Sequence, residues 1–331
     1  MLITFLRRIV QTIFFFLILY GGVLGIGQID ISILPFIEPH STFKTEKRIE
    51  SLKPPAGYTQ VFDTYLPSKT CRFIVHEPRL FRACALHFLS ESLTWLIPLK
   101  YLLPHILLFL ILVFLLGRFW CGWLCPLGFI SDFLGMIRKY LRLAYFNLPE
   151  IWQNFLIKFK YGFLLFLGLT SFLAIFPEIG YQKELFLVGC QTCPARVLFP
   201  LLGGKIPVFY SFDSPILIFF SLLGIIFLLI FLFSFFVRRF WCRICPSGAL
   251  ISFFNLSGAM TKEKDILKCT RCGICTRVCP VQSKKVYQEK EIENILDKDC
   301  IRCFKCLEKC PTTDCLKVKL FGKTLFKSKF K

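Results

Sequence analysis

Seventeen cysteines are spread over 331 residues, and most of them recur at short, regular spacings. The most specific pattern is a pair of runs near the C-terminal end. Cys269-x2-Cys272-x2-Cys275-x3-Cys279-Pro280 is followed by Cys300-x2-Cys303-x2-Cys306-x3-Cys310-Pro311. Three closely spaced thiols suit a tight loop wrapped around a cubane, with backbone amides donating to its sulfurs. In this spacing the fourth cysteine of each run ligates the other cluster. The runs therefore predict two 4Fe-4S clusters. Cluster 1 takes Cys269, Cys272, Cys275 and Cys310, and cluster 2 takes Cys300, Cys303, Cys306 and Cys279. Crossed ligation ties the halves of a small domain together, and metal binding supplies folding energy that a short tail lacks in apolar core. Zinc is the competing occupant.

A second pattern is written twice. Arg118-Phe119-Trp120-Cys121-Gly122-Trp123-Leu124-Cys125-Pro126-Leu127-Gly128 nearly repeats as Arg239-Phe240-Trp241-Cys242-Arg243-Ile244-Cys245-Pro246-Ser247-Gly248. Both copies read Arg-Phe-Trp-Cys, then Cys-Pro-x-Gly, and the first has one extra residue between its cysteines. Such repetition predicts two similar half-units packed side by side. Together Cys121, Cys125, Cys242 and Cys245 offer four thiolates, enough for a third iron–sulfur cluster or a tetrahedral metal ion. Pro126 and Pro246 are expected at the first position of helices, with Cys125 and Cys245 at their N-caps. Free amides and the positive helix end stabilise thiolate there. Two other readings stay open: buried structural cysteines, and a thioredoxin-like dithiol at Cys242–Cys245, which has no thioredoxin domain around it.

Five cysteines remain. Cys71, Cys84, Cys190 and Cys193 are candidates for an external metal site, for disulfides or thiol redox chemistry, or for structural roles. His76 and His87 flank them. Cys315 is read as a core or surface residue of the tail, not as a ligand. His105 falls in an apolar run, but no second buried histidine accompanies it to hold a haem. There is no phosphate-binding loop, dinucleotide fingerprint or nucleophile–base set, so the chain reads as an electron conductor.

What must position these thiols is a membrane body. Hydrophobic residues make up 55% of the chain, Phe alone numbers 40, and only 19% is charged. That balance excludes a disordered chain and fits a soluble globule poorly. The uncharged runs 9–29, 101–117, 161–177 and 214–237 are read as helical spans. Shorter apolar stretches at 83–99, 119–131, 185–202 and 244–256 are read as interfacial or re-entrant helices. The expected fold is a polytopic all-α membrane domain over 1–256, with duplicated Cys-Pro half-units. A C-terminal bacterial two-cluster ferredoxin-like α+β domain follows over 257–331.

Lys and Arg placement puts the N-terminus, residues 117–160 and the tail on the cytoplasmic side of a prokaryotic inner membrane, with loop 30–99 external. The formal charge of +20 sits beside the spans and in the tail. No nucleic-acid motif accompanies it, so nucleic acid is set aside as a partner. The charge fits an acidic docking protein or membrane lipids with anionic headgroups.

Taken in order, the Cys-x3-Cys-Pro and Cys-x2-Cys-Pro motifs and the two ferredoxin runs resemble the NapH/MauN-like membrane polyferredoxins. The motif layout is also similar to that of the membrane part of NosR and of CcoG/FixG proteins. The resemblance covers most of residues 90–315. It implies an inner-membrane electron-transfer subunit without a bond-making reaction of its own. Such a subunit relays single electrons between a quinone pool or cytoplasmic donor and a respiratory partner, such as a periplasmic reductase or dehydrogenase. It also leaves open a membrane metalloreductase, for example of copper, and a redox-sensing assembly factor. The sequence departs from the pattern in its unequal repeat, in the extra Cys190–Cys193 pair, and in lacking a flavin-attachment signature in loop 30–99.

Overall fold

The computed structural model describes residues 2–21, 23, 84–94, 99–176, 178, 180, 182–185, 187–205, 214–255, 259–290, 294–295 and 297–328. Cys71, His40, His76 and most of the expected loop 30–99 lie outside the described residues.

In chain order the helices of the apolar region are α1 (Leu2–Tyr20), α2 (Ala85–Thr94), α3 (Leu99–Leu116), α4 (Phe119–Trp123), α5 (Pro126–Tyr140), α6 (Glu150–Leu173), α7 (Gln182–Leu185), α8 (Val188–Gln191), α9 (Ala195–Leu202), α10 (Pro215–Leu232), α11 (Trp241–Ile244) and α12 (Pro246–Ser252). Among the described residues, α1, α6 and α10 with its 3-10 extension Phe233–Phe235 are long and apolar enough to cross a membrane. Helix α3 occupies the expected run 101–117 and carries the apolar stretch Ile106–Leu116. Large side chains such as Leu165 and Leu229 are 75% and 60% exposed. Against water that would be a costly apolar surface, whereas lipid is its matching solvent.

Two helices begin earlier than their uncharged runs. Helix α1 starts at Leu2 and takes in Arg7 and Arg8, and α6 starts at Glu150 and takes in Lys160. A charge in an apolar helix is tolerated when it is paired. Arg7 and Arg8 reach Asp132 at 3.4 and 3.9 Å, and Lys160 pairs with Asp299. The short apolar stretches form short helices: α2 within 83–99, α4 and the start of α5 within 119–131, α8 and α9 within 185–202, and α12 within 244–256. None of these helices has the ~20 residues of a full span.

The chain forms two compact units. One comprises Met1–Phe15, Leu110–Lys160 and Leu232–Lys331, and the other Phe16–Phe109 and Tyr161–Phe231. In the first unit the tail builds an antiparallel sheet from β1 (Met260–Lys264), β2 (Leu316–Leu320) and β3 (Lys323–Lys327), ordered β1-β2-β3. Met260 pairs with Leu320 and Lys264 with Leu316. The β2–β3 turn is Phe321-Gly322, both left-handed, at φ 48° and 77°. Two such residues match the twist of a tight hairpin. Between β1 and β2 lie the one-turn helices α13 (Ile274–Arg277), α14 (Lys285–Gln288) and α15 (Lys305–Glu308). In the second unit, Phe163 of α6 meets Phe227 of α10 edge-on at 5.0 Å, and Ser90 of α2 hydrogen-bonds Ser171 of α6 at 2.7 Å.

Candidate metal centres

The two cysteine runs of the tail fold as copies of one loop. Arg271 and Gly273 have φ of 54° and 70°, and their counterparts Arg302 and Phe304 have 49° and 57°. Alternation of this kind turns successive amides to one side, making a concavity that suits anions and iron–sulfur clusters. Left-handed non-glycine residues cost about 1–3 kcal/mol each and persist where their surroundings fix them. Arg302 is fixed by donating to the carbonyls of Leu116 at 2.9 Å and Asn255 at 3.1 Å.

The loops gather the sulfurs in crossed sets. Cys269, Cys272, Cys275 and Cys310 line one cavity, with Cys315 beside them. Cys279 lies in the electrostatic field of Cys303, Cys300 and Cys306, so burial and crowding push its thiol above the usual range. Burial, opposed by Lys262, likewise pushes the Cys306 thiol up to about 12. Thiols held this way ionise when a cation enters among them, so metal binding here would release protons. Lys262 donates to Cys300 Sγ at 3.6 Å. Burial opposes its charge, but Cys300 and Cys306 raise its pKa and keep it ammonium.

Among the described residues, no three His, Cys, Asp or Glu side chains stand close enough to hold a single ion. A cubane carries its irons on separate corners and spreads its ligands wider than a tetrahedral ion does. The thiols of Cys269, Cys272, Cys275 and Cys310 around one cavity have the wider spread that such a group needs.

The repeated motif is built alike in both halves. Helices α4 and α11 each make about one turn; Cys245 directly follows α11, and Cys125 follows α4 after the single residue Leu124, both cysteines in extended conformation. Cys125 has φ −64° and ψ 120°, and Cys245 has φ −57° and ψ 117°. Each caps a helix whose first residue is proline, as the spacing predicts; proline fixes φ and has no amide to leave unsatisfied. Cys245 Sγ accepts from the Gly248 amide at 3.3 Å.

The arginines of the two halves are exchanged. Arg118 Nη2 donates to the Cys242 carbonyl at 3.1 Å, and Arg239 Nη1 donates to the Cys121 carbonyl at 2.7 Å. A Cβ at Gly248 would stand 3.1 Å from Arg118 Nη2, and one at Gly128 would stand 3.0 Å from Arg239 Nη1. So the glycine of Cys-Pro-x-Gly makes room for the other half's arginine. The thiols of Cys242 and Cys245 are electrostatic neighbours of Cys121, whose pKa burial raises and Arg118 opposes.

Each guanidinium also takes a carboxylate, and here symmetry ends. Arg239 holds Asp132 through Nη2 at 2.5 Å and Nε at 3.1 Å. Although burial opposes ionisation, Arg239 and Arg7 keep the Asp132 carboxyl well below the usual carboxylate range. Gln11 of α1 adds bonds to Asp132 at 3.2 Å and to the Gly122 carbonyl at 3.0 Å. The matching position after Cys245 is Ser252, which offers no charge. Arg118 instead takes Asp299 of the tail, at 2.9 Å to its carbonyl and 3.4 Å to Oδ1.

The tail thus seats on both halves of the motif. A Cβ at Gly122 would lie 2.2 Å from the Ile301 carbonyl oxygen, so glycine lets the second cysteine run approach backbone to backbone. Trp123 donates to the Arg302 carbonyl at 3.0 Å, and its ring lies 6.1 Å from that of Phe304. In the other half Gly122 is replaced by Arg243, which reaches the Pro280 carbonyl at 3.4 Å. Burial lowers the Arg243 pKa to about 10, with Cys279 and Cys242 opposing. Cys121, Cys242, Cys279 and Cys303 pack with Val281 and Ile301 in one apolar cluster.

Arg118, Arg239, Asp132 and Asp299 were not singled out as site residues by spacing. The signal for the arginines and glycines was present, because both recur in each copy. Asp132 and Asp299 carry no such mark. In the second unit, Cys190 lines a cavity with His87, Ser90 and Ser171. Cys84 immediately precedes α2, which packs on the α8 helix that contains Cys190.

A family model described as a 4Fe-4S binding domain matches residues 103–143 and again 218–261, and a 4Fe-4S dicluster domain matches 261–311. An uncharacterized protein of Methanocaldococcus jannaschii is 33% identical over 214 residues, which is 63% of this chain and 75% of that one. YccM of Escherichia coli is 26% identical over 219 residues, covering 64% and 54% of the two chains. The ferredoxin-type protein NapH of Escherichia coli is 27% identical over 199 residues, covering 58% and 59%. The chain belongs to a family of membrane-associated ferredoxin-like electron-transport proteins. Its relatives also include proteins named NosR and NirI, so membership is in this broader family and not specifically in a NapH/MauN branch. The family member described here is a multi-spanning membrane protein with a helical membrane region and a C-terminal ferredoxin-like α+β domain. No solved structure matches it.

Proposed function

We propose that the protein relays single electrons through three iron–sulfur centres in a prokaryotic inner membrane. Cluster 1 is held by Cys269, Cys272, Cys275 and Cys310, and cluster 2 by Cys300, Cys303, Cys306 and Cys279. Cys121, Cys125, Cys242 and Cys245 hold the third centre at the membrane motif. The observation that carries this reading is the apolar cluster in which Cys279 and Cys303 pack with Cys121 and Cys242. On the other side, Cys306 lies in the field of Cys275. These adjacencies order the centres as cluster 1, cluster 2, membrane motif.

When bound, the clusters supply one-electron couples whose potentials follow charge, hydrogen bonding and burial. The chain supplies the rest. Arg118, Arg239 and Lys262 set positive charge beside the thiolates, and Val281 and Ile301 keep water from the space between cysteine sets. Membrane lipids surround the spans, and a quinone or redox protein exchanges electrons at the membrane motif. A periplasmic reductase or dehydrogenase is the further partner. The N-terminus and tail lie on the cytoplasmic side. Cys84, Cys190 and Cys193 with Cys71 form an external metal site or disulfides.

The test is metal content. Anaerobically purified protein should hold about twelve irons with matching labile sulfide, as three cubanes require. C279A should lose the EPR signal of cluster 2, and the double variant C121A/C242A only that of the membrane centre. Zinc in place of iron, or unchanged signals in both variants, would overturn the reading.

A further inference from the structure

We propose that Cys315 is a reserve ligand of cluster 1, taking the place of Cys310 when that thiolate is lost. The inference rests on the cluster-1 assignment above and adds a fifth thiol to its cradle. Cys315 is only 2% exposed and lines the same cavity as Cys269, Cys272, Cys275 and Cys310. Its thiol donates to the Asp265 carbonyl at 3.7 Å and is an electrostatic neighbour of both Cys310 and Cys269. A cysteine serving only as core filler lies away from the ligand set, whereas this one lines the same cavity as all four of its thiols.

The backbone fixes it there. Cys310 and Cys315 are joined by a turn whose Asp314 is left-handed, at φ 55°. The Cys315 carbonyl accepts from the Asp265 amide at 2.7 Å, which binds the residue to the segment following β1. The next amide, Leu316, donates to Ser328 Oγ at 3.1 Å. With the main chain anchored on both sides, a rotation about the Cα–Cβ bond is the motion left to aim the sulfur at the cavity.

The exchange balances without a change in iron oxidation state. The iron–sulfur bond to Cys310 breaks, a bond to Cys315 Sγ forms, and the Cys315 proton passes to the departing Cys310 thiolate. Cluster 2 has no cysteine at the corresponding position, because the residue matching Cys315 after Cys279 is Lys284. The molecule therefore contains its own control.

Iron, labile sulfide and EPR should be measured on the full-length wild type, C310A, C315A, C310A/C315A and C279A, all purified anaerobically. C310A and C315A should each retain the wild-type iron content, with shifted g values in C310A, while C310A/C315A loses about a third of it. C279A should lose cluster 2. If C310A loses as much iron as the double variant, the reserve role is wrong, although the relay reading stands. A wild type without tail clusters would instead sink the relay reading itself. Should C310A fail to fold, the wild type can be stripped with ferricyanide and its disulfides mapped by mass spectrometry. That two-electron oxidation should join Cys315 to Cys310 or Cys269, and recovery of Cys315 as an alkylated thiol would overturn the inference.

Discussion

Arg118 and Arg239 each serve the half of the repeat to which they do not belong, and their chemistry explains why arginine stands there. A guanidinium presents donors in a fixed fork, so one side chain reaches a cysteine carbonyl and a carboxylate together; lysine's point charge cannot hold both directions. The Arg239–Asp132 pair is almost wholly buried, with side chains 1% and 7% exposed. Removing one partner from such a pair leaves an uncompensated charge and costs about 3–5 kcal/mol. We expect R239A and D132A each to lower unfolding stability in detergent by that order, and the double variant to cost less than their sum. Strict additivity in that double-mutant cycle would show that the two groups do not act as a pair. The pH dependence has a definite sign. Asp132 is held below its unfolded pKa of about 4, so its contribution is complete above that pH and fades only as the pH falls further.

At the scale of elements, what the sequence disclosed depended on whether the cause was local. Cys125-Pro126 and Cys245-Pro246 start helices because proline acts on its own backbone, and that was legible. The ends of α1 and α6 were not, since Arg7 and Lys160 are admitted into apolar helices by Asp132 and Asp299, far along the chain. Hydropathy weighs each residue alone and cannot see a distant counter-charge. The duplication of the motif was plain in its letters, but the crossed arginines are contacts between copies, which no single copy encodes. Gly122 and Gly128 separate these two kinds of contact. Alanine at 122 would overlap the backbone carbonyl of Ile301 at 2.2 Å, which cannot move without shifting the cysteine loop, whereas alanine at 128 would crowd Arg239 Nη1 and the Cys121 carbonyl only mildly, at 3.0 and 3.1 Å. G122A should therefore keep the EPR signals of both tail clusters but slow their electron exchange with the membrane centre by tenfold or more. G128A should have a smaller effect. Wild-type exchange kinetics in G122A would show that this seating does not carry the electron.

For the whole molecule, dividing the chain by sequence into a membrane part and a tail follows chain order, while compaction does not. The tail shares a compact unit with residues 110–160 and with the segment after Leu232, because Asp299, Ile301 and Arg302 are bonded to or pressed against the motif. What the tail leaves outward is the cluster-1 loop. Cys272 is exposed, Lys268 and Arg271 are exposed beside it, and Leu267 is 98% exposed, whereas Cys303 of cluster 2 is 8% exposed. On the proposed relay, the exposed Leu267 flanked by Arg271 and by Lys268, which pairs with Asp265 at 3.4 Å, suits a soluble one-electron carrier with an acidic face. Opposite charges steer such an encounter over about a Debye length, roughly 10 Å at 0.1 M salt. Reversing two charges with K268E/R271E should slow stopped-flow reduction by an acidic carrier protein about tenfold at low ionic strength. The gap should close as salt rises past a few tenths molar, where screening is nearly complete. Reduction by a small neutral reagent should be unchanged, which separates docking from damage to the cluster. Equal slowing with the neutral reagent would place the defect in the cluster, and an unchanged rate with the acidic carrier would put its entry point elsewhere on the protein.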